Sequence, residues 1–109
     1  MTSLHARIRD DLAEAMRARD MAKVKVLRTT MSAIQNAEAV EGVASVEGVV
    51  GYSDVQRRSL SDDDVIEIII REIEEFEGSV AEYRQIGQTE RAEGLQRELD
   101  VLRSYLTSD

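Results

Sequence analysis

The stretch Ser61–Tyr83, reading SDDDVIEIIIREIEEFEGSVAEY, constrains the fold more than any other part of the chain. Its apolar residues Ile66, Ile69, Ile73, Phe76, Val80 and Tyr83 are separated by alternating steps of three and four. That spacing is one apolar seam along an α-helix, and a seam needs a partner of the same period. Ser61 stands where an N-cap is required. Asp64 sits at the N3 position of a capping box, where Glu or Gln is usual. Asp62, Asp63 and Asp64 put negative charge on the positive end of the helix dipole. The helix is expected over about 62–86, with Gly87 suited to the C′ position.

The partner follows directly. Thr89 reads as the cap of a last helix over about 90–106. There Ala92, Leu95, Leu99, Leu102 and Leu106 repeat the three-four spacing. The two segments are expected to fold back antiparallel at Gly87–Gln88. Glu93 and Arg97 have the spacing of a favourable i, i+4 pair. Gly94 costs the helix roughly 1 kcal/mol relative to Ala. It either permits close approach of a neighbour or is tolerated.

The first third predicts a second hairpin. Ser3 caps a helix over about 4–19, with Leu4, Ile8, Leu12, Ala15 and Met16 on one stripe. Arg7, Arg9 and Arg17 lie mainly off that stripe. Asp20 caps a helix over about 21–39, whose buried face is Val24, Leu27, Met31 and Ile34. Arg28 and Gln35 flank that face, while Lys25, Ser32 and Asn36 lie further round. So short a junction sets the two helices antiparallel or at a sharp angle.

Residues 40–60 lack periodicity and hold Gly42, Gly48 and Gly51 among scattered Val. They are expected to form a long loop, with a short extended piece near Val46–Tyr52 as one option. A binding loop and a surface-packed insertion are both open, and Arg57 and Arg58 close the segment. The fold class is therefore all-α: one domain over 1–109, with four main helices as two antiparallel helical hairpins joined by a long loop.

Little catalytic chemistry is on offer. The chain has no Cys, which excludes disulfides, thiolate zinc sites and thiol catalysis. Its one His, His5, is expected to be exposed, and a zinc site would need carboxylates alone. The acidic run Asp62–Asp64 reads as helix-terminal charge and Glu72–Glu77 as a solvated face. No P-loop, dinucleotide fingerprint or nucleophile elbow is present. No catalytic residue, metal or cofactor is expected. No apolar run is long enough to cross a membrane and no signal core opens the chain, so the expected location is the cytoplasm.

Charge narrows the partners. The net charge is −8, yet residues 1–38 carry seven Lys/Arg against five Asp/Glu, and residues 39–109 carry seven against seventeen. Phosphate neutralisation drives nucleic-acid binding, so any polyanion site belongs in the first third. Apolar exposure offers a different partner. Ile68, Ile69 and Ile70 cannot share one stripe. Ile69 is in the seam, Ile70 borders it and Ile68 points away. Ile68 and Ile70 are either covered by the first hairpin or the loop, or they form a docking or homo-oligomer surface.

Val26-Leu27-Arg28 followed by Ala33-Ile34-Gln35-Asn36-Ala37-Glu38 resembles the GatB/YqeY family. Asp11-Leu12, Glu14-Ala15-Met16 and Arg19-Asp20 are similar to that family's start. Leu60-Ser61-Asp62 and Asp64-Val65-Ile66 resemble the opening of its third helix. Glu82-Tyr83, Gly87, Ala92-Glu93, Glu98-Leu99, Leu102 and Tyr105-Leu106 resemble its closing hairpin. The motifs are short, but their order and spacing cover nearly the whole chain outside the loop.

The resemblance implies a helical domain like part of the C-terminal region of the B subunit of the tRNA-dependent amidotransferase. That region contacts tRNA. Stand-alone members are described as carbon–nitrogen ligases with glutamine as amido-N-donor, by association with the complex. The implied role is a non-catalytic module tied to tRNA or a translation complex. In that role Arg7, Arg9, Arg17, Lys25 and Arg28 are the candidate phosphate contacts. Asn36 is a candidate hydrogen-bonder to base or backbone, or the cap of an internal contact. Three departures stand out. The chain reads as a short form, ending at Thr107-Ser108-Asp109 where typical members continue into a second helical unit. Glu74-Glu75-Phe76-Glu77 occupies a place that is basic in typical members. The loop after Glu38 is longer than usual. The alternative role is a protein-interaction or homo-oligomerisation module without RNA.

Overall fold

The computed structural model describes residues 3–45 and 60–107. Four helices form: α1 (Leu4–Ala18), α2 (Met21–Ser45), α3 (Asp62–Gln85) and α4 (Thr89–Ser104). No strand occurs among the described residues. α1 packs mainly on α2, and α3 mainly on α4, so the chain is built of two helical hairpins. α2 and α3 each touch all three other helices, whereas α1 and α4 do not pack on each other.

The helix ends follow from local chemistry. Ser3 accepts a hydrogen bond from the Ala6 N–H at the start of α1. The Lys23 N–H reaches the Asp20 carboxylate ahead of α2. At α3 the capping box is complete: the Asp64 N–H donates to Ser61 Oγ, and the Ser61 N–H donates to the Asp64 carboxylate, each at 3.1 Å. α3 closes in a Schellman motif, the Gln88 N–H donating to the Tyr83 carbonyl and the Gly87 N–H to that of Arg84. Gly87 sits at φ 79°, a conformation that suits a residue without Cβ. α1 closes the same way with Arg19 at φ 57°, a left-handed position that costs a non-glycine residue about 1–2 kcal/mol.

Three boundaries differ from expectation. α2 runs on through residues 40–45, where a loop was expected. Ala39, Ala44 and the absence of any Pro let the helix continue past Gly42. The expected extended piece near Val46–Tyr52, and Arg57 and Arg58, lie outside the described residues. α4 starts at Thr89, so its N-cap is Gln88, which makes no side-chain capping bond. The other end of α4 is Ser104 instead of Leu106, and Leu106 is exposed.

The core joins both hairpins. Ile8, Val26, Leu27, Ile34, Val65, Ile69 and Leu102 are fully buried. On α2 the buried arc includes Val26 and Thr30 as well as the expected Val24, Leu27 and Ile34, because the helix is covered by α1 on one side and by α3 and α4 on another. Met16, placed on the α1 stripe by spacing, is half exposed. Glu93 and Arg97 form no ion pair among the described residues.

Gly78 and Gly94 lie within α3 and α4 with no close neighbour where a Cβ would stand; the nearest at Gly94 is Arg97 Nη2 at 3.9 Å. Neither position uses the freedom of glycine. Gly78→Ala and Gly94→Ala are each expected to raise the unfolding free energy by about 1 kcal/mol, read by urea denaturation.

Candidate functional site

From Met21 to Ala37 the chain carries Lys23, Lys25 and Arg28 and no acidic residue. Folded as α2, this segment presents Lys25, Arg28, Ser32 and Asn36 at steps of three and four, and all four are exposed. They form one polar stripe about three turns long. The stripe borders clefts that α3 and α4 make against α2. At one end Asn36 shares a cleft with Arg71 and Ile68. At the other Lys25 shares one with Tyr83, Arg91 and Glu98. Between them lies a third, lined by Thr29, Ser79 and Leu95, with Glu72 and Glu75 common to it and to the Asn36 cleft.

The α1 candidates sit differently. Arg7 reaches toward Asp11 at 3.9 Å, Arg9 toward Asp10 at 3.2 Å and Arg17 toward Glu14 at 2.8 Å. Such exposed pairs stabilise little. They do cancel the local field that would attract a phosphate. Arg7 also lies over the ring of Tyr105, at 5.0 Å from its centroid, which gives it a structural role. The structure thus brings together Lys25, Arg28 and Asn36 on α2 and leaves Arg7, Arg9 and Arg17 beside their own carboxylates.

Two carboxylates flank the α2 face from within. Glu72 was expected on a solvated face but is buried, only 9% exposed. Thr30 Oγ stands 2.7 Å from Glu72 Oε1 and 3.0 Å from the Val26 carbonyl. One hydroxyl proton cannot serve both acceptors at once. The Thr30 hydroxyl therefore divides its donation between the Val26 carbonyl and the Glu72 carboxyl group. Burial pushes the Glu72 carboxyl above the usual carboxylate range, Thr30 pulls it back, and Glu75 pushes it up further. Glu98 is 6% exposed and has no hydrogen-bond partner among the described residues. Burial pushes it up and the Lys25 charge pulls it down.

The pH consequence has a definite sign. A carboxyl raised in the folded state contributes stability that is complete below the ordinary value of 4.5 and is lost as pH rises through the folded value. Urea midpoints should therefore rise as pH falls from neutral toward mildly acidic. Glu72→Gln should flatten that slope and stay within about 1 kcal/mol of the parent protein at the acidic end. An unchanged slope would show that Glu72 titrates as a solvated carboxylate.

The remaining expectations are quickly placed. His5 is half-buried instead of exposed, with Nδ1 3.6 Å from the Glu38 carboxylate across the first hairpin. Ile68 lines the α2 cleft and packs against the core, so of its two alternatives the structure shows partial cover by the first hairpin. Ile70 is exposed. Among the described residues no group of acidic or His side chains could hold a metal ion. No described helix is long and apolar enough to cross a membrane.

A family model described as Yqey-like protein matches residues 5–109. No curated protein matches the chain.

Proposed function

The chain belongs to the YqeY-like family, and from that premise we propose that it is a non-catalytic helical module that contacts tRNA, or RNA of a translation complex, through the exposed face of α2. Lys25 and Arg28 meet phosphates, and Asn36 hydrogen-bonds base or backbone. The observation that carries this is the acid-free run from Met21 to Ala37, whose Lys25, Arg28, Ser32 and Asn36 emerge on one stripe in an otherwise acidic protein. Arg7, Arg9 and Arg17 supply at most long-range attraction, since each has a carboxylate alongside. The family's link to glutamine-dependent carbon–nitrogen ligation is read here as service to a complex, with the chemistry residing in other domains.

The experiment is a tRNA titration at several salt concentrations. Binding at low salt that weakens with a log–log slope of about −2 is expected for two or three phosphate contacts. No binding at low salt, or salt-independent binding, would overturn the proposal.

A second reading, self-association or protein docking through α3, rests on Ile70, which is 41% exposed. Ile68 adds little to such a surface because it faces α2. Light scattering separates the two. A mass near 12.2 kDa at all concentrations removes self-association. A larger mass that Ile70→Glu abolishes would establish it.

A further inference from the structure

The cleft between α2 and the α3–α4 hairpin has a composition that simple packing does not require. Its volume is about 320 Å³, and its walls include Lys25, Tyr83, Arg91, Gly94 and Glu98. That size lies at the low end of the range of about 300–1,000 Å³ usual for small-molecule sites. Glu98 is more than nine-tenths buried, yet it makes no hydrogen bond and no ion pair among the described residues. Its oxygens are not sealed in the core, because no fully buried side-chain oxygen there lacks a partner. They open into the cleft. Lys25, on the facing wall, is near enough to act on Glu98 but not within the 4.0 Å of an ion pair. The Arg91 guanidinium lies over the Tyr83 ring at 5.8 Å, which makes a flat, cationic wall. Gly94 costs α4 stability, and a Cβ there would meet no atom closer than 3.9 Å. Its absence widens the cleft.

We propose that this cleft is a subsite for one unpaired guanine nucleotide, with the base edge held by Glu98 and the phosphate by Lys25 and Arg91. An ionised carboxylate only accepts hydrogen bonds. Guanine alone among the four RNA bases offers two adjacent donors, N1–H and N2–H₂, on its Watson–Crick edge. Adenine and cytosine set an acceptor beside their one donor, and uracil flanks its donor with two acceptors. Each would point a lone pair at Glu98. The Tyr83 ring supplies an aromatic surface beside the base, as in recognition of splayed-out RNA bases. The subsite rests on the RNA reading for its biological partner, but its chemistry is measured separately from tRNA binding.

The experiment is an amide chemical-shift titration of the full chain with guanosine 5′-monophosphate and, in parallel, adenosine 5′-monophosphate. Shifts at Lys25, Arg91, Leu95 and Glu98 are expected, with at least tenfold tighter binding of the guanine nucleotide. Glu98→Gln keeps the shape but exchanges one acceptor for a donor, and it should erase the guanine preference. Gly94→Ala should weaken both nucleotides while stabilising the fold. No response in the cleft, equal affinities, or a preference that survives Glu98→Gln overturns the subsite. If tRNA binds but the cleft ignores the guanine nucleotide, the subsite falls and the RNA reading stands. If the cleft takes the guanine nucleotide and tRNA does not bind, the RNA reading falls and the subsite stands.

Discussion

Tyr105→Ala is expected to lower the unfolding free energy by about 3–5 kcal/mol, and Tyr105→Phe by about 1–2 kcal/mol. Tyr105 lies just past the end of α4 and is 8% exposed. Its hydroxyl donates to the Asp11 carboxylate at 2.6 Å, a charge-assisted bond across almost the whole chain. Arg7 covers the ring face. Burial and the Asp11 carboxylate push the phenol well above its usual range, so it stays a donor. Because α1 and α4 do not pack on each other as helices, this contact ties the first hairpin to the end of the second. Domains of this size have about 5–15 kcal/mol in total. The Ala variant should therefore approach the limit of folding, and urea denaturation of both variants reads the effect. A Phe variant as stable as the parent would show that the Asp11 bond contributes nothing net.

The second large effect concerns binding. Lys25→Glu with Arg28→Glu is expected to weaken tRNA affinity by about 100-fold, or roughly 2.7 kcal/mol, at low salt. Arg9→Glu with Arg17→Glu should weaken it by less than about threefold. Both double variants change the net charge by the same amount, so long-range repulsion is matched between them. What differs is position. The α2 pair lies on the acid-free stripe, whereas the α1 pair already faces Asp10 and Glu14. All four side chains are exposed, but Lys25→Glu sets a like charge near the buried Glu98, so the stability of both variants is checked by urea denaturation and helix content by circular dichroism. Equal losses in the two variants would mean that net charge alone steers RNA to this protein.

Much of the fold was legible because its signals are local. The α3 seam, its capping box and the Gly87 stop each depend on residues within one or two turns. What spacing could not supply was the second buried side of α2 and α3. Thr30 and Glu72 show why. Glu72 follows Val65 by seven residues and Ile69 by three, so it belongs to the buried side by periodicity. Its charge type and the acidic run around it outweighed that pattern. Only the arrival of Thr30 from another helix, 42 positions away, makes its burial tolerable. Glu98 is similar, standing between Leu95 and Leu102 on the flank of its own seam. The α2 continuation past Ala39 was obscured by Gly42.

The geometry of the proposed contact face was legible in part. The charge asymmetry pointed to the first third of the chain, and that segment does hold the α2 stripe. Counting Lys and Arg could not separate α2 from α1, because cancellation by Asp10, Asp11 and Glu14 depends on side-chain geometry. The absence of any acid from Met21 to Ala37 was the available signal, and it lay hidden inside the larger charge count. Tyr83, Arg91 and Glu98 carried no such signal. They reach Lys25 only when the hairpins pack.

The most direct test of the RNA-contact account is an amide chemical-shift map of the chain during addition of tRNA at low salt. The account predicts perturbations along α2 from Lys25 to Asn36, with Arg71 and Arg91 beside them and α1 from Arg9 to Arg17 unchanged. Shifts centred on α1, or no shifts at all, would contradict it.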